Sequence, residues 1–547
     1  MPYLSPYTPL LTNKTAAHLL RRATFGPTQS EIANFTGLTA TQAVQQLINN
    51  ANYSPPAPVD IDGTQPTVGQ TYFDQPYNND RNSDFSHYLR YWWLGLMTSQ
   101  TSPPSLLDKL TLFWHNHFVI TREIVEDCRF INRYLLLLRN NALGNFRTLV
   151  TQITKDPAML RFLNGNENEA GKPNENYARE LQELFTVGAV DFAGNKNYTE
   201  DDVKAAARVL TGWQYTNYEE YGTISFDTTF TLSRHDSTNK VFSEKYNNTV
   251  ITGRSVNPSA MVTAGDAELD DLVTMLLNHP QTARFICRKL YRWYVNPNVT
   301  QAIEDNVIVP LAQFLSSPSN NYAIQPVIVT LLTSDIFFDD SNRGSMVKSP
   351  ADLAVGTMRL FNQPVPDMAG EYAAFKTYFD FMFWRMRDMQ MTLLDPPSVL
   401  GYEPYYQTGY SKTWINVTTL AIRSEFTDAF IWGGFHVSPV YILGINLLAW
   451  ATSLQPNFDD LAGTPAITCL DVQKAFSTNM FATDLLPSQV DFLIDTIMMQ
   501  ELPRTSWTFE WNAYRALPND VGKRTAVFSR LQNLMKYMLR MAEYQLF

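Results

Sequence analysis

Pro173-Asn174-Glu175-Asn176-Tyr177-Ala178-Arg179-Glu180-Leu181-Gln182-Glu183-Leu184-Phe185-Thr186-Val187-Gly188 begins as a polar turn, becomes amphipathic and stops at a glycine. Tyr177, Leu181, Leu184 and Phe185 recur at helical spacing, so the stretch reads as a helix with one apolar stripe facing a core. Glu175, Arg179 and Glu183 stand four residues apart on another face, where they can form a salt-bridged ladder. Glu180 lies off that ladder. Two readings stay open. In one, the charges are a solvated face whose early acidic residues complement the helix dipole. In the other, Glu180 or Glu183 lines a cleft as base or metal ligand with Arg179 beside them, because burial raises a carboxyl towards the range that general-base work needs.

The same signals recur on both sides of this stretch. Thr15 is placed to cap a first helix that ends at Gly26-Pro27, Thr28 and Glu31 have capping-box spacing, and a third segment starts at Thr39 or Thr41. Residues 51–82 form a long polar loop. An aromatic helix follows over 83–98, then one from Pro103-Pro104 to Trp114-His115-Asn116-His117-Phe118, and another over 126–140. Phe146, Leu149, Val150 and Ile153 repeat at i, i+3, i+4, i+7, and Asp156-Pro157 starts the next helix with proline at its first position. Thr199 with Asp202 caps a helix that ends at Thr211-Gly212-Trp213. Residues 214–260 alternate Tyr, Thr, Ile and Phe between turn residues and predict a small β-rich insertion. Helical patterns resume from Glu268 and continue through 366–392. A Pro/Gly/Tyr-rich loop occupies 395–416, and the remainder is mostly helical with loops near 453–468 and 503–520.

No period of 20–50 residues recurs, so the chain is not a solenoid. The fold class expected is mainly α, a large multi-helix globular fold with the β-rich insertion near 214–260. The boundary candidates are the loops at 339–347 and 395–416, and the first is taken as the division. It separates an N-terminal helical region, 1–338, which carries the polar motifs, from a C-terminal region, 339–547, which carries the aromatic loop.

Bulk composition narrows the function classes. The chain has 547 residues, 45% of them hydrophobic and 13% aromatic, which is enough to bury a sizeable core. Its net charge of −11 and pI of about 5.2 argue against broad nucleic-acid binding, which needs a basic face. Cys128, Cys287 and Cys469 are too scattered for a disulfide framework or a cysteine metal cage. No run of some 18 apolar residues predicts a transmembrane helix, and the first residues show neither the basic nor the apolar part of a signal peptide.

Three further motifs bear on chemistry. Counting from Asn164, the loop 164–175 places Asn166, Asn168, Ala170, Lys172 and Glu175 at the ligand rhythm of a calcium-binding loop. Asn164 stands where aspartate is usual and Glu169 where glycine makes the turn, so an ordinary connector is the competing reading. His115 and His117 are two residues apart. On one helix they point about 200° apart, and they can share a metal only if the helix ends between them. His235 and the adjacent Asp236 do not face each other, so any role for His235 depends on the cleft it enters. Arg21-Arg22 and Arg288-Lys289 read as basic steps that pair with the acidic excess. The aromatic loop (Tyr402, Tyr405, Tyr406, Tyr410, Trp414) offers stacking surface for a sugar, a peptide or a protein partner. The chain has no phosphate loop, no dinucleotide fingerprint, no Gly-x-Ser-x-Gly elbow and no HExxH pair.

Several stretches together resemble the bacterial domain-of-unknown-function family numbered eighteen hundred. They are His18 to Pro27, Phe113 to Phe118, Asp156 to Leu160, the stretch quoted first, Tyr198 to Trp213, His235-Asp236, His279-Pro280 to Leu290, Lys348-Ser349-Pro350, and Pro396 to Gly401 with Trp414-Ile415-Asn416. The resemblance implies a helical bacterial protein, often exported, often encoded near a sulfatase-like family, and without an established activity. Phe185 stands where members often carry histidine and Tyr402 where tryptophan is usual, and the first departure weakens a metal proposal that needs a ligand there.

The combined expectation is an exported or envelope-associated enzyme, hydrolytic or metal-assisted, with a His/Glu-lined cleft. Glu180, Glu183, His235, Asp236 and Arg179 are its candidate catalytic residues. His115, His117, Glu183, Asn164 and Glu175 are candidate ligands for a divalent metal ion. The alternative is a non-catalytic binding or assembly protein that partners another envelope protein, such as the sulfatase-like neighbour. The resemblance favours a periplasmic or extracellular location; the missing leader leaves a cytoplasmic one open.

Overall fold

Side-chain caps fix where most helices begin. Thr12, not Thr15, caps the helix Asn13–Ala23; Thr15 sits at its third position and returns the hydrogen bond as the other half of the capping box. Reciprocal boxes also start the helices Gln29–Phe35 (Thr28 with Glu31), Glu200–Val209 (Thr199 with Asp202), Ala264–Asn278 (Thr263 with Asp266) and Pro350–Leu360 (Ser349 with Asp352). Asp156 caps Pro157–Phe162, with proline at its start. Each cap contributes about 1 kcal/mol.

The chain was analysed as a computed structural model that describes residues 3–405, 409–439, 441–454 and 467–547. Helix makes up 57% of it and strand 5%, which establishes the mainly α class. The β content of 214–260 is thin. Trp213–Tyr215 pairs antiparallel with Thr228–Phe230, and Lys240–Val241 with Val250–Ile251. A third small pair, Phe435–His436 with Ile442–Leu443, lies in the C-terminal remainder expected to be mostly helical. Tyr406 and part of the 453–468 loop lie outside the described residues.

The aromatic helix starts at Asn79, earlier than its apolar pattern, because Asn78 caps it. It runs to Thr98, buries Trp92 and Trp93, and packs against Tyr372–Asp388 and Pro350–Leu360. Buried ion pairs span the expected boundary at 339: Arg359 with Glu31 at 2.6 Å, Lys109 with Asp352, and Arg90 with Asp395. Apolar side chains from both sides of that boundary belong to one continuous core.

Candidate functional site

The stretch 173–188 is not one regular helix. An α segment, Asn176–Glu180, passes into a π turn, Leu181–Phe185. The Thr186 hydroxyl donates to the Leu181 carbonyl at 2.5 Å, and the amides of Val187 and Gly188 both donate to Gln182. Gly188 ends the run at φ 82°, where a Cβ would stand 2.9 Å from the Phe285 ring. The wider turn releases two carbonyls from the helix ladder. His117 Nε2 takes that of Phe185 at 2.9 Å, and Lys289 Nζ that of Leu184 at 3.4 Å.

The turn also breaks the expected ladder. Arg179 bonds Glu200 at 2.7 Å and Glu175 at 3.4 Å but not Glu183. Glu183 instead accepts the Tyr198 hydroxyl at 2.5 Å. Glu180 is partly buried, and burial together with the neighbouring Glu183 charge pushes its carboxyl up to about 7 against the opposing pull of Arg179.

The two histidines of helix Leu107–His117 are both buried and both on the helix, so they diverge. The single proton of the Tyr134 hydroxyl goes to the Phe118 carbonyl at 2.5 Å. His115 Nδ1, 3.0 Å from that hydroxyl, must therefore be the donor. Burial brings His115 down to about 3, and its Nε2 lies in the core without a hydrogen-bond partner. His117 uses both ring nitrogens: Nε2–H donates to Phe185 and Nδ1 accepts from Lys289 at 2.9 Å. No lone pair of His117 remains for a metal. Burial, helped by Arg292, brings Lys289 down to about 7.

His235 lies in a different environment. The Thr211 hydroxyl donates to Arg208, so His235 Nδ1 donates to the Thr211 carbonyl at 2.9 Å. Its Nε2 stands 3.1 Å from Glu268, whose other oxygen accepts from Lys240 at 2.5 Å. All three side chains are fully buried. Burial alone would raise Glu268, yet His235 and Lys240 hold it below the usual carboxylate range. Asp236 turns away to Arg208 (2.7 Å) and Thr238, which hold it well below that range although burial opposes them. Arg208 and Glu200 belong to the same helix, about 12 Å apart at 1.5 Å per residue. The Glu180–Glu183 group therefore lies at one end of that helix and His235–Asp236 at the other, and they do not form one cleft.

The loop 164–175 is a connector. Its central Asn168 is buried, donates to the Ala207 carbonyl and accepts from the Asn174 amide, so its side chain is committed inside the protein. Asn164 is left-handed at φ 56° and its side chain accepts from Asn176, while Glu175 pairs with Arg179. Among the described residues no group of three or more His, Cys, Asp or Glu is arranged to hold a metal ion. The metal set His115, His117, Glu183, Asn164 and Glu175 is thus dispersed.

The aromatic loop is turned inward. Tyr402 and Trp414 are buried, and Tyr405 packs 4.3 Å from Trp293 and 4.8 Å from Trp414. Gly401, at φ 89°, lets the loop close on Asn116, where a Cβ would meet Oδ1 at 2.5 Å. Asn116 Oδ1 accepts the Tyr402 amide at 2.7 Å.

Three features escaped the sequence reading. Glu268 completes the buried set with His235 and Lys240. Asp156 is a cap whose second oxygen has no hydrogen-bond partner, and burial pushes it up to about 7. Arg21 and Arg22 do not pair with acidic residues: Arg21 donates to the carbonyls of Asn479 and Phe481, and Arg22 to Asn342 and Ser345. Of the second basic step, Arg288 does pair, with Glu304 at 2.7 Å. The resemblance-bearing Arg21-Arg22 and Lys348-Ser349-Pro350 were the available signal.

These features define a large, mainly α protein with its polar motifs built into the packing of one helical core. The chain belongs to the family described as Protein of unknown function (DUF1800), whose model matches residues 18–546. No curated protein and no solved structure matches it. Phe185 is buried beside Phe118, with ring centroids 5.2 Å apart. No helix among the described residues is long and apolar enough to cross a membrane.

Proposed function

We propose that the protein is an exported or envelope-associated bacterial enzyme that works by acid–base hydrolysis, with Glu180 and Glu183 as its working carboxyls. The observation that carries this reading is the split between two carboxyls three residues apart. Glu180 is raised to about 7 by burial and by its neighbour's charge, whereas Glu183 is oriented by the Tyr198 hydroxyl. A carboxyl near 7 is populated in both forms at neutral pH, as a group that takes a proton from water and returns it to a leaving group must be. The π turn supports the reading, since such turns recur at functional sites. His235 and Asp236 sit apart from this pair and have no step in it, and the dispersed donors give the metal-assisted version no support.

The test is a screen of wild-type protein against chromogenic carboxylic, phosphate and sulfate esters, glycosides and peptides. Turnover is expected to follow a group titrating near 7 and to fall at least ~100-fold in Glu180→Gln. Turnover and pH profile unchanged in Glu180→Gln would sink the reading.

A second reading, a partner-binding protein that docks the sulfatase-like neighbour product, draws on another region. Phe509, Leu517 and Val521 are 75%, 53% and 77% exposed near the C-terminal helices. Co-purification with that product, abolished by Phe509→Ser, would favour it over catalysis.

A further inference from the structure

Arg21, Arg22, Lys348 and Arg423 come from segments far apart in sequence and gather near the start of helix Pro350–Leu360. All four are held by neutral groups. Arg21 donates to two carbonyls, Arg22 to a carbonyl and a hydroxyl, and Arg423 to the Gln545 side chain and the Lys348 carbonyl. The Lys348 ammonium lies 3.8 Å from the Tyr544 ring centroid and has no hydrogen-bond partner. Among the described residues no carboxylate stands within 4.0 Å of any of the four. The nearby carboxylate, Asp352, is committed to Lys109 through Oδ1 and to the Ser349 hydroxyl and amide through Oδ2. Arg22 Nε and Nη1 and Arg423 Nε are buried without partners, and both guanidinium groups belong to fully buried side chains.

Three other buried cations of this chain have carboxylates: Arg359 has Glu31, Arg288 has Glu304 and Lys240 has Glu268. A cation out of water with only neutral neighbours is costly. Desolvation accordingly brings Arg21 and Arg423 down to about 10 and Arg22 to about 9. Such an excess of positive charge is the more notable in a protein of net charge −11. Beside it opens a cavity of about 30 Å³, lined by Arg21, Lys348, Asp352, Asn479 and Tyr544 together with apolar side chains. That is about twice what one water needs, and room for a small ion whose oxygens replace the waters.

We propose that this cavity binds a tetrahedral oxyanion group, phosphate or sulfate, with Lys348 and Arg21 as its contacts and Arg22 and Arg423 supplying the surrounding positive field. Guanidinium and ammonium groups satisfy such oxygens with charge-assisted hydrogen bonds, and the bound anion supplies the charge that the described residues do not. The site is distinct from the Glu180–Glu183 pair and independent of any activity there.

The test is calorimetric titration of the full chain with inorganic phosphate, sulfate, acetate and phenyl phosphate at constant ionic strength. Saturable binding of a tetrahedral anion, weakened ~10-fold or more in Lys348→Gln (about 1.4 kcal/mol) and unchanged in the exposed Lys204→Gln, is the expected result. A monoester that binds more tightly than inorganic phosphate supports the proposal with an esterified ligand, and the reverse order supports it with the free ion. No saturable binding, acetate binding as tightly, or Lys348→Gln binding like wild type would overturn it. If circular dichroism shows that Lys348→Gln fails to fold, acetic anhydride labelling of wild-type protein decides. Protection of Lys348 but not Lys204 by phosphate supports the site, and equal labelling with and without phosphate overturns it.

Discussion

The buried set around Glu268 and the basic centre around Lys348 treat charge in opposite ways. At the first, Lys240 and His235 converge on one carboxylate, and the Arg254 amide donates to it as well at 2.7 Å. At the second, the four cations meet carbonyls, one hydroxyl, an amide side chain and the rings of Tyr544 and Phe547. The first is closed, since Lys240 and Glu268 neutralise each other inside the protein. The second is open, since no described carboxylate pairs with any of its cations. Motif residues therefore do not announce a site by being polar. His235-Asp236 looked like chemistry and completes a packed network; Arg21-Arg22 looked like routine pairing and borders a cavity.

The largest effect that tests this contrast is removal of the carboxylate from the closed set. Glu268→Gln keeps the side chain's size but leaves Lys240 buried with no counter-charge, so a loss of about 3–5 kcal/mol is expected in urea unfolding. A loss under about 1 kcal/mol would mean that the set is not balanced in the way described. Acid should act next, through the neutral core histidine. His115 titrates at about 3 in the folded chain and near 6.5 unfolded. Its contribution is fully present above about 6.5 and is lost as pH falls towards 3, because the unfolded chain then binds the extra proton. Between pH 7 and 5 this amounts to about 2 kcal/mol. Asp156, raised to about 7, works in the other direction, losing its contribution as pH rises from about 4 to 7. The measurement is therefore a difference of differences: unfolding free energies at pH 7 and 5 in wild type and His115→Gln. The variant's pH dependence should shift by that amount, and an unchanged pH dependence would rule out a neutral His115. The smallest effect belongs to the solvated face. Glu200 is exposed and its bond to Arg179 is screened by water, so Glu200→Gln should leave Tm where it is. A clear drop would show that the surface pair carries structural weight.

The stretch 173–188 shows how far the residues themselves could be read. Its apolar stripe was legible, and Tyr177, Leu181 and Phe185 are indeed buried while Leu184 packs at the core's edge. So was its stop at Gly188. The ladder was not, because i, i+4 spacing assumes a uniform α-helix and the π turn at Leu181–Phe185 rotates Glu183 off the row and onto Tyr198. The helix caps were legible to within a residue or a turn, since they rest on spacing between neighbours. Divergence of His115 and His117 followed from helix geometry once the helix was known to run through both.

Local chemistry thus determined the helical class, most caps, the apolar faces and the membership that the ordered motifs carry, because all of these depend on residues within a few positions of one another. Tertiary structure alone decided that Glu268 faces His235, that the aromatic loop folds onto Asn116 and Trp293, and that Arg21 and Lys348 line one cavity with Arg423 held on the Lys348 carbonyl behind it. Charge balance in a protein interior is set by which distant segments meet, and the spacing of residues along the chain does not encode it.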